Sequence, residues 1–295
     1  MAVYTIKDLE KLCGIKAHTL RIWEQRYDII KPKRTATNIR YYQDTDLKMI
    51  LNIALLNRNG LKISKIANMT PSEIAEKVAN ISEGNFEHST QLDALTISMI
   101  EMDEYKFDRI ISTNIQQLGF EKTMLDIIYP FLDKLSVLWL TGSISPVQEN
   151  FMSYLIRQKI IAAIDREPLS FGKETKRILI YLPEGESQEL SLLFMYYILK
   201  SRKFYVIYLG HNINMNDLKD AYNIQKPDYI FTMISESFSN RSVHTYVEEL
   251  SNTFPKSNIL LSGYQVVAQN VQSSENVSVL PSLEDTVAHL KSINS

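Results

Sequence analysis

The 295-residue sequence predicts a multidomain α and α/β chain. Its expected parts are a winged helix-turn-helix head, a four-helix bundle and a doubly wound parallel α/β C-terminal domain of the flavodoxin/Rossmann-like kind. Three observations carry that expectation. Two short helical patterns joined at Gly14 open the chain and run into short extended pieces rich in Lys and Arg. Residues from about 85 to 167 keep a helical apolar period with no strand signal. From about residue 174, continuous apolar strands alternate with helical stretches, the pattern of a parallel sheet covered on both faces. The expected boundaries are 1–75, 80–167 and 174–295.

Composition sets the frame. Hydrophobic content of 45% and charge of 22% are ordinary for a soluble globular protein. There is no apolar run of about 18 residues, so no membrane span is expected. The N-terminus has no apolar stretch behind a basic start, so no signal peptide is expected. A single cysteine, Cys13, excludes an internal disulfide and a cysteine-based metal cluster. A cytoplasmic location follows as an expectation. The net charge of −2 hides an asymmetry: residues 1–70 carry 13 Lys and Arg against 6 Asp and Glu, and the remainder 19 against 28. A basic head on an acidic body suits a polyanionic partner.

In the head, Thr5 is an N-cap with Asp8 three residues on, and Ile6, Leu9 and Leu12 share one helical face. Gly14 stops this helix, and a second begins almost at once in KAHTLRIWEQRY. In such a motif the start of the second helix reads base edges, which selects Lys16, His18, Thr19 and Arg21. Leu20, Tyr27 and part of Trp23 are expected to pack inward. Pro32 ends the helical run. Extended pieces at Lys33–Thr35 and Ile39–Tyr42, around a polar turn, predict a β-hairpin wing whose Arg34 and Arg40 reach phosphates or the minor groove. Helices are expected at about 44–59 and 62–68, and Thr70-Pro71-Ser72-Glu73 caps a further one.

The segments YTIKDLEKLCGIKAHTLRIWEQRY and RYY, followed by two helices, resemble the winged helix-turn-helix domain of the MerR family over about residues 1–70. The resemblance implies double-stranded promoter DNA as partner, with Arg21 and Trp23 at the DNA and Arg40 and Tyr42 on the wing. Trp23 and Tyr42 are expected to combine packing with phosphate contact. A long dimerising heptad helix, common in such regulators, is missing, so association must come from elsewhere in the chain.

Four helical stretches with short connections predict the bundle. Ser145, Pro146 and Gln148 mark the start of the last one as N-cap, N1 and N3. Trp139 precedes a turn at Gly142, and spacing alone reads it as a core residue and Glu149 as a first-turn acid favoured by the helix dipole, the alternative being that the two meet across this hairpin. In the α/β domain the turns after the strands, where ligands sit, read GESQELS, GHNIN, SESFS and SGYQV. No GxGxxG and no Walker A sequence is present, so dinucleotide or NTP binding is unsupported.

A helical bundle followed by this sheet resembles a cobalamin-binding module. With the head attached, the whole chain resembles the CarH/LitR-like light-responsive regulators. The resemblance implies a corrinoid between bundle and sheet, with a His of an E-x-H-x-x-G turn below cobalt. A Trp and a Glu-His pair then lie above it. In this sequence Trp139, Glu149 and Ser235 match. Gln188 stands at the His of the turn and Ser191 at its Gly, Asn150 stands at the His of the pair, and Gly263-Tyr264 replaces two glycines. Glutamine has no imidazole nitrogen and is a poor cobalt ligand.

The expected function is therefore a sequence-specific DNA-binding regulator, by resemblance a repressor, whose sensor module has lost its cobalt-ligating His and no longer depends on cobalamin. It would answer to another small ligand or a protein partner. The alternatives are an adenosylcobalamin-dependent light-responsive repressor and, from another class, a corrinoid methyl-carrier subunit. No nucleophile–base pair or carboxylate dyad points to an enzyme. A homodimer or higher oligomer is expected.

Overall fold

The computed structural model describes residues 3–34, 38, 40–84, 88–140, 144–172, 174–236 and 242–293. They form two compact units, Met1–Ile156 and Arg157–Ser295.

In the first unit, β1 (Val3–Tyr4) leads into α1 (Ile6–Cys13) and α2 (Ala17–Tyr27). Thr5 and Asp8 close a reciprocal capping box on α1, and Gly14 ends it at φ 68°. The tight link to α2 is held by Glu10, which accepts the N–H of Ala17 at 3.1 Å. That carboxylate caps a helix whose own N-cap residue, Lys16, has no acceptor to offer. Leu9, Leu12, Leu20 and Trp23 are buried between the two helices and α3 (Asp44–Arg58).

The expected wing forms as β2 (Lys33–Arg34) paired antiparallel with β3 (Arg40–Gln43). The tip of the wing, Thr35–Thr37, and Ile39 lie outside the described residues. The strand β1 pairs with the other edge of β3, which makes a three-stranded sheet where a hairpin was expected. Two residues are too short to leave an alternating pattern. After α4 (Ile63–Ile66), α5 (Pro71–Gly84) starts at the Thr70–Glu73 capping box.

The bundle helices are α6 (His88–Glu101), α7 (Glu104–Leu118), a third helix in segments, and α10 (Pro146–Arg166). The third consists of α8 (Phe120–Thr123), a π-helical stretch Met124–Ile128 and α9 (Tyr129–Leu140). The cause is Pro130: it lacks the N–H that Asp126 would accept, and its ring crowds that carbonyl. A single wide turn absorbs the misfit. Head and bundle share one unit because α3 packs on both α5 and α6. Arg58 of α3 donates to Asp93 of α6 and to the Cys13 carbonyl. Lys134 of α9 reaches the other Asp93 oxygen at 3.4 Å.

The second unit is a five-stranded parallel sheet in the order β5-β4-β6-β7-β8. Its strands are β4 (Arg177–Pro183), β5 (Tyr205–Ile213), β6 (Tyr229–Met233), β7 (Asn258–Ser262) and β8 (Val277–Val279). The connections are α11 (Glu189–Ser201), α12 (Met215–Gln225), α13 (Val243–Thr253) and α14 (Tyr264–Ala268), and α15 (Leu283–Ile293) follows. The order reverses between β4 and β6, which puts the turns after these two strands at the mouth of the ligand-binding crevice of such sheets. No helix among the described residues is long and apolar enough to cross a membrane.

Candidate functional sites

The head presents the candidate DNA residues unequally. Lys16, His18 and Arg21 are exposed at the start of α2, and Thr19 is half-buried. Lys16 Nζ also pairs with Glu10 at 3.1 Å. Trp23 is buried, and Tyr42 is fully enclosed. The expectation of shared packing and surface roles is therefore corrected for Tyr42: pleat alternation on β3 turns its ring to the core. Its hydroxyl donates to Glu24 Oε2 at 3.3 Å. Burial first, then the Glu24 charge, pushes its pKa up to about 12, so it stays a donor. Arg40 is half-buried and pairs with Glu24 Oε1 at 3.1 Å. Arg34 is exposed and donates to Asn38 Oδ1 at 2.8 Å, which braces the described part of the wing turn. Glu24 therefore joins α2 to the wing. An acid inside a basic segment was its only sequence signal.

In the bundle, Trp139 is 51% exposed, which overturns its assignment to the core. It is the second-to-last residue of α9 and lies on the apolar stripe by period, yet half of its surface is left open. Glu149 is half-buried and Asn150 exposed in the first turn of α10. The Ser145 backbone N–H donates to Gln148 Oε1 at 3.0 Å, so the predicted start of this helix holds. Gly142 lies outside the described residues.

In the sheet unit, Gln188 is the N-cap of α11, is exposed, and makes no side-chain capping bond. Ser191 is half-buried in the first turn. The residue that organises this turn is Glu186, only 5% exposed. Its Oε1 accepts the backbone N–H groups of Ser235 and Glu236, each at 2.7 Å, across the topological switch point. Ser187 Oγ donates to Glu236. Burial raises the Glu186 pKa, against the lowering effect of the two N–H groups. Its Oε2 is enclosed and has no partner among the described residues. Sequence reading gave Glu186 no role of its own, although it stands at the Glu of the E-x-H-x-x-G turn, and that match was its signal.

Gly263 sits at φ 108°, and a Cβ there would come within 2.5 Å of the Ile234 carbonyl oxygen. Tyr264 follows at the start of α14 with its ring 71% exposed. The β6 and β7 turns are therefore drawn together over glycine, with a large aromatic at the rim.

Comparison with known proteins finds two matching family models, both over the helical part of the chain. Residues 4–73 match the model described as MerR HTH family regulatory protein. Residues 91–163 match the model described as B12 binding domain. The HTH-type transcriptional repressor CarH of Myxococcus xanthus is 23% identical over 260 residues, covering 86% of each chain. The HTH-type transcriptional repressor CarA of the same organism is 24% identical over 227 residues, 76% of this chain and 74% of that one. The HTH-type transcriptional regulator MlrA of Salmonella typhimurium (strain SL1344) is 38% identical over 77 residues, 26% of this chain and 32% of that one. The chain is a DNA-binding transcriptional regulator in which a MerR-type helix-turn-helix precedes a B12-binding-type domain, homologous over most of its length to the CarH and CarA repressors.

Proposed function

We propose that this chain represses transcription by reading promoter DNA with the start of α2. Its B12-type module works without a cobalt ligand from the protein. Lys16, His18, Thr19 and Arg21 meet base edges and phosphates in the major groove, and Arg34 meets phosphate beside it. Arg40 and Trp23 hold the helix and wing at the angle that makes both contacts. MerR-type heads on paired half-sites require two copies, so the working form is an oligomer.

Gln188 is the observation that carries the sensor half of this proposal. It heads α11 at the switch point where a ligating His would stand. An amide offers cobalt neither an imidazole nitrogen nor a thiolate. Asn150 offers none beside Glu149, and the Tyr264 ring stands at the rim where a nucleotide tail would lie. These residues do not fit a His-ligated corrinoid. A second reading, cobalamin held with no protein ligand to cobalt, is favoured by Trp139, an aromatic with half its surface open at the end of α9.

The test is a dark visible-absorption titration of the full chain with adenosylcobalamin, followed by gel filtration. No retained corrinoid band is expected. A retained band with a size change selects the cobalamin-dependent repressor instead.

A further inference from the structure

Inside the unit Met1–Ile156, helices α3, α5, α6 and α7 line a partly open cavity of about 230 Å³. Ala75, Val78, Ala94, Ile97 and Ile110 line it with apolar surface. Helix junctions are ordinarily close-packed, so an apolar recess of this size leaves room for a small ligand. Deeper than Lys48 on the α3 wall lies Asn52, 6% exposed, whose Oδ1 is enclosed and has no hydrogen-bond partner among the described residues. A buried amide oxygen left unpaired carries the full cost of its lost hydration. An acceptor so placed suits a donor that arrives from within the cavity.

The rim limits the charge of an occupant. Glu101 is bracketed by Lys48 and Lys106, which lie against its two carboxylate oxygens. Lys106 also lies 3.7 Å from Asp103. The rim charges of these four residues are thus already matched to one another, and Arg109 at the same rim lies over the Tyr105 ring, so a charged ligand gains little by displacing them. Water is a poor occupant too, because an ordered water needs about two to four polar partners and the inner wall offers chiefly Asn52.

We propose that this cavity binds a compact, uncharged, largely apolar molecule carrying one hydroxyl or N–H donor. The apolar body lies on the α5–α6–α7 wall and the donor on Asn52 Oδ1. The site is separate from the crevice of the sheet unit. It touches the head directly, since α3 is capped by Gln43, the last residue of wing strand β3.

The experiment titrates the full chain with phenol and with toluene, two probes of like shape that differ by the donor. Binding is read by isothermal calorimetry and by saturation-transfer NMR. Phenol is expected to bind at least tenfold more tightly than toluene. Asn52→Leu, which removes the unpaired amide at similar volume, is expected to fold and to erase that preference while keeping toluene. Ala94→Phe is expected to fill the cavity and abolish both. Equal affinity of the two probes, binding of neither, or a phenol preference that survives Asn52→Leu each overturns the proposal and leaves a packing void only. The Asn52→Leu comparison decides the matter even if Ala94→Phe does not fold.

Discussion

Arg40 on the wing strand and Glu24 on the second head helix form an ion pair, Nε to Oε1 at 3.1 Å. The Tyr42 hydroxyl occupies the other oxygen of the same carboxylate. One acid thus fixes the angle between the reading helix and the wing.

Glu24→Ala should therefore weaken DNA binding although it removes a negative charge from a DNA-facing head. A purely electrostatic role would give the opposite sign, because neutralising an acid near phosphate raises affinity. The variant also strands the buried Tyr42 hydroxyl, at a cost of about 1–3 kcal/mol. Urea unfolding and a DNA titration at fixed salt measure the two effects. Adding Tyr42→Phe should recover part of the stability and none of the affinity.

Arg21 and Arg34 should fail in different ways. Arg21→Ala should cost about 1–3 kcal/mol on the cognate site and relax the preference for it. Arg34→Ala should weaken cognate and random DNA alike and lower the slope of log affinity against log salt by about 1. Equal loss on all sequences for Arg21→Ala removes it from the base-reading set.

What the sequence revealed follows physical range. Periodicity and capping act within a few residues, so α1, α2, α10 and the strand–helix alternation were legible from Thr5, Gly14, Ser145 and the apolar runs. The turns after the strands were legible as the ligand side because continuous apolar strands demand a parallel sheet, whereas the strand order that makes a switch point was not. Relations set by chain crossing were not. The pairing of β1 with β3, the Glu186 bridge to Ser235 and the Asn52 cavity join residues 38 or more positions apart, or lie between helices whose separate patterns look ordinary. Trp139 was misread for the same reason: the period gives a face, and only packing tells whether that face is covered.

Glu186 sets a pH dependence with a definite sign. Burial raises its pKa above the ordinary carboxylate value of about 4.3. The native state therefore holds this proton more tightly than the unfolded chain does. That contribution is fully present below the ordinary value and is lost as pH rises through the raised one. Glu186→Gln keeps an oxygen for the Ser235 and Glu236 N–H groups and cannot ionise. The stability of wild type minus that of Glu186→Gln should fall as pH rises from about 4. A difference that rises with pH instead would mean that the two N–H groups outweigh burial.

Cys13 should be silent to alkylation in the folded chain. It is enclosed beneath α1, and burial pushes its thiol up to about 11, so thiolate is scarce at neutral pH. Iodoacetamide at pH 8 should label it only in denaturant. Arg58→Ala should expose it, since Arg58 donates to the Cys13 carbonyl and packs over Gly14. Rapid native labelling would show that the head opens along α1.

Gly263→Ala separates two reasons for the same glycine. If the residue served only to admit a ligand, the variant would be as stable as the parent with no ligand present. The geometry gives another reason: φ is 108°, and the added Cβ would fall 2.5 Å from the Ile234 oxygen, whose own N–H donates to Ser262 at 2.9 Å. Backbone strain alone costs about 1–3 kcal/mol, and the clash adds to it. Gly185→Ala is the control, because φ is 88° there but nothing lies within 4 Å of the added carbon. Thermal unfolding should therefore rank Gly263→Ala well below Gly185→Ala, and Gly185→Ala below the parent. Equal losses would mean that Ile234 yields at no cost and that only the φ angle matters. A large Gly263 loss shows instead that the meeting of the β6 and β7 turns requires glycine for folding, whatever the crevice holds.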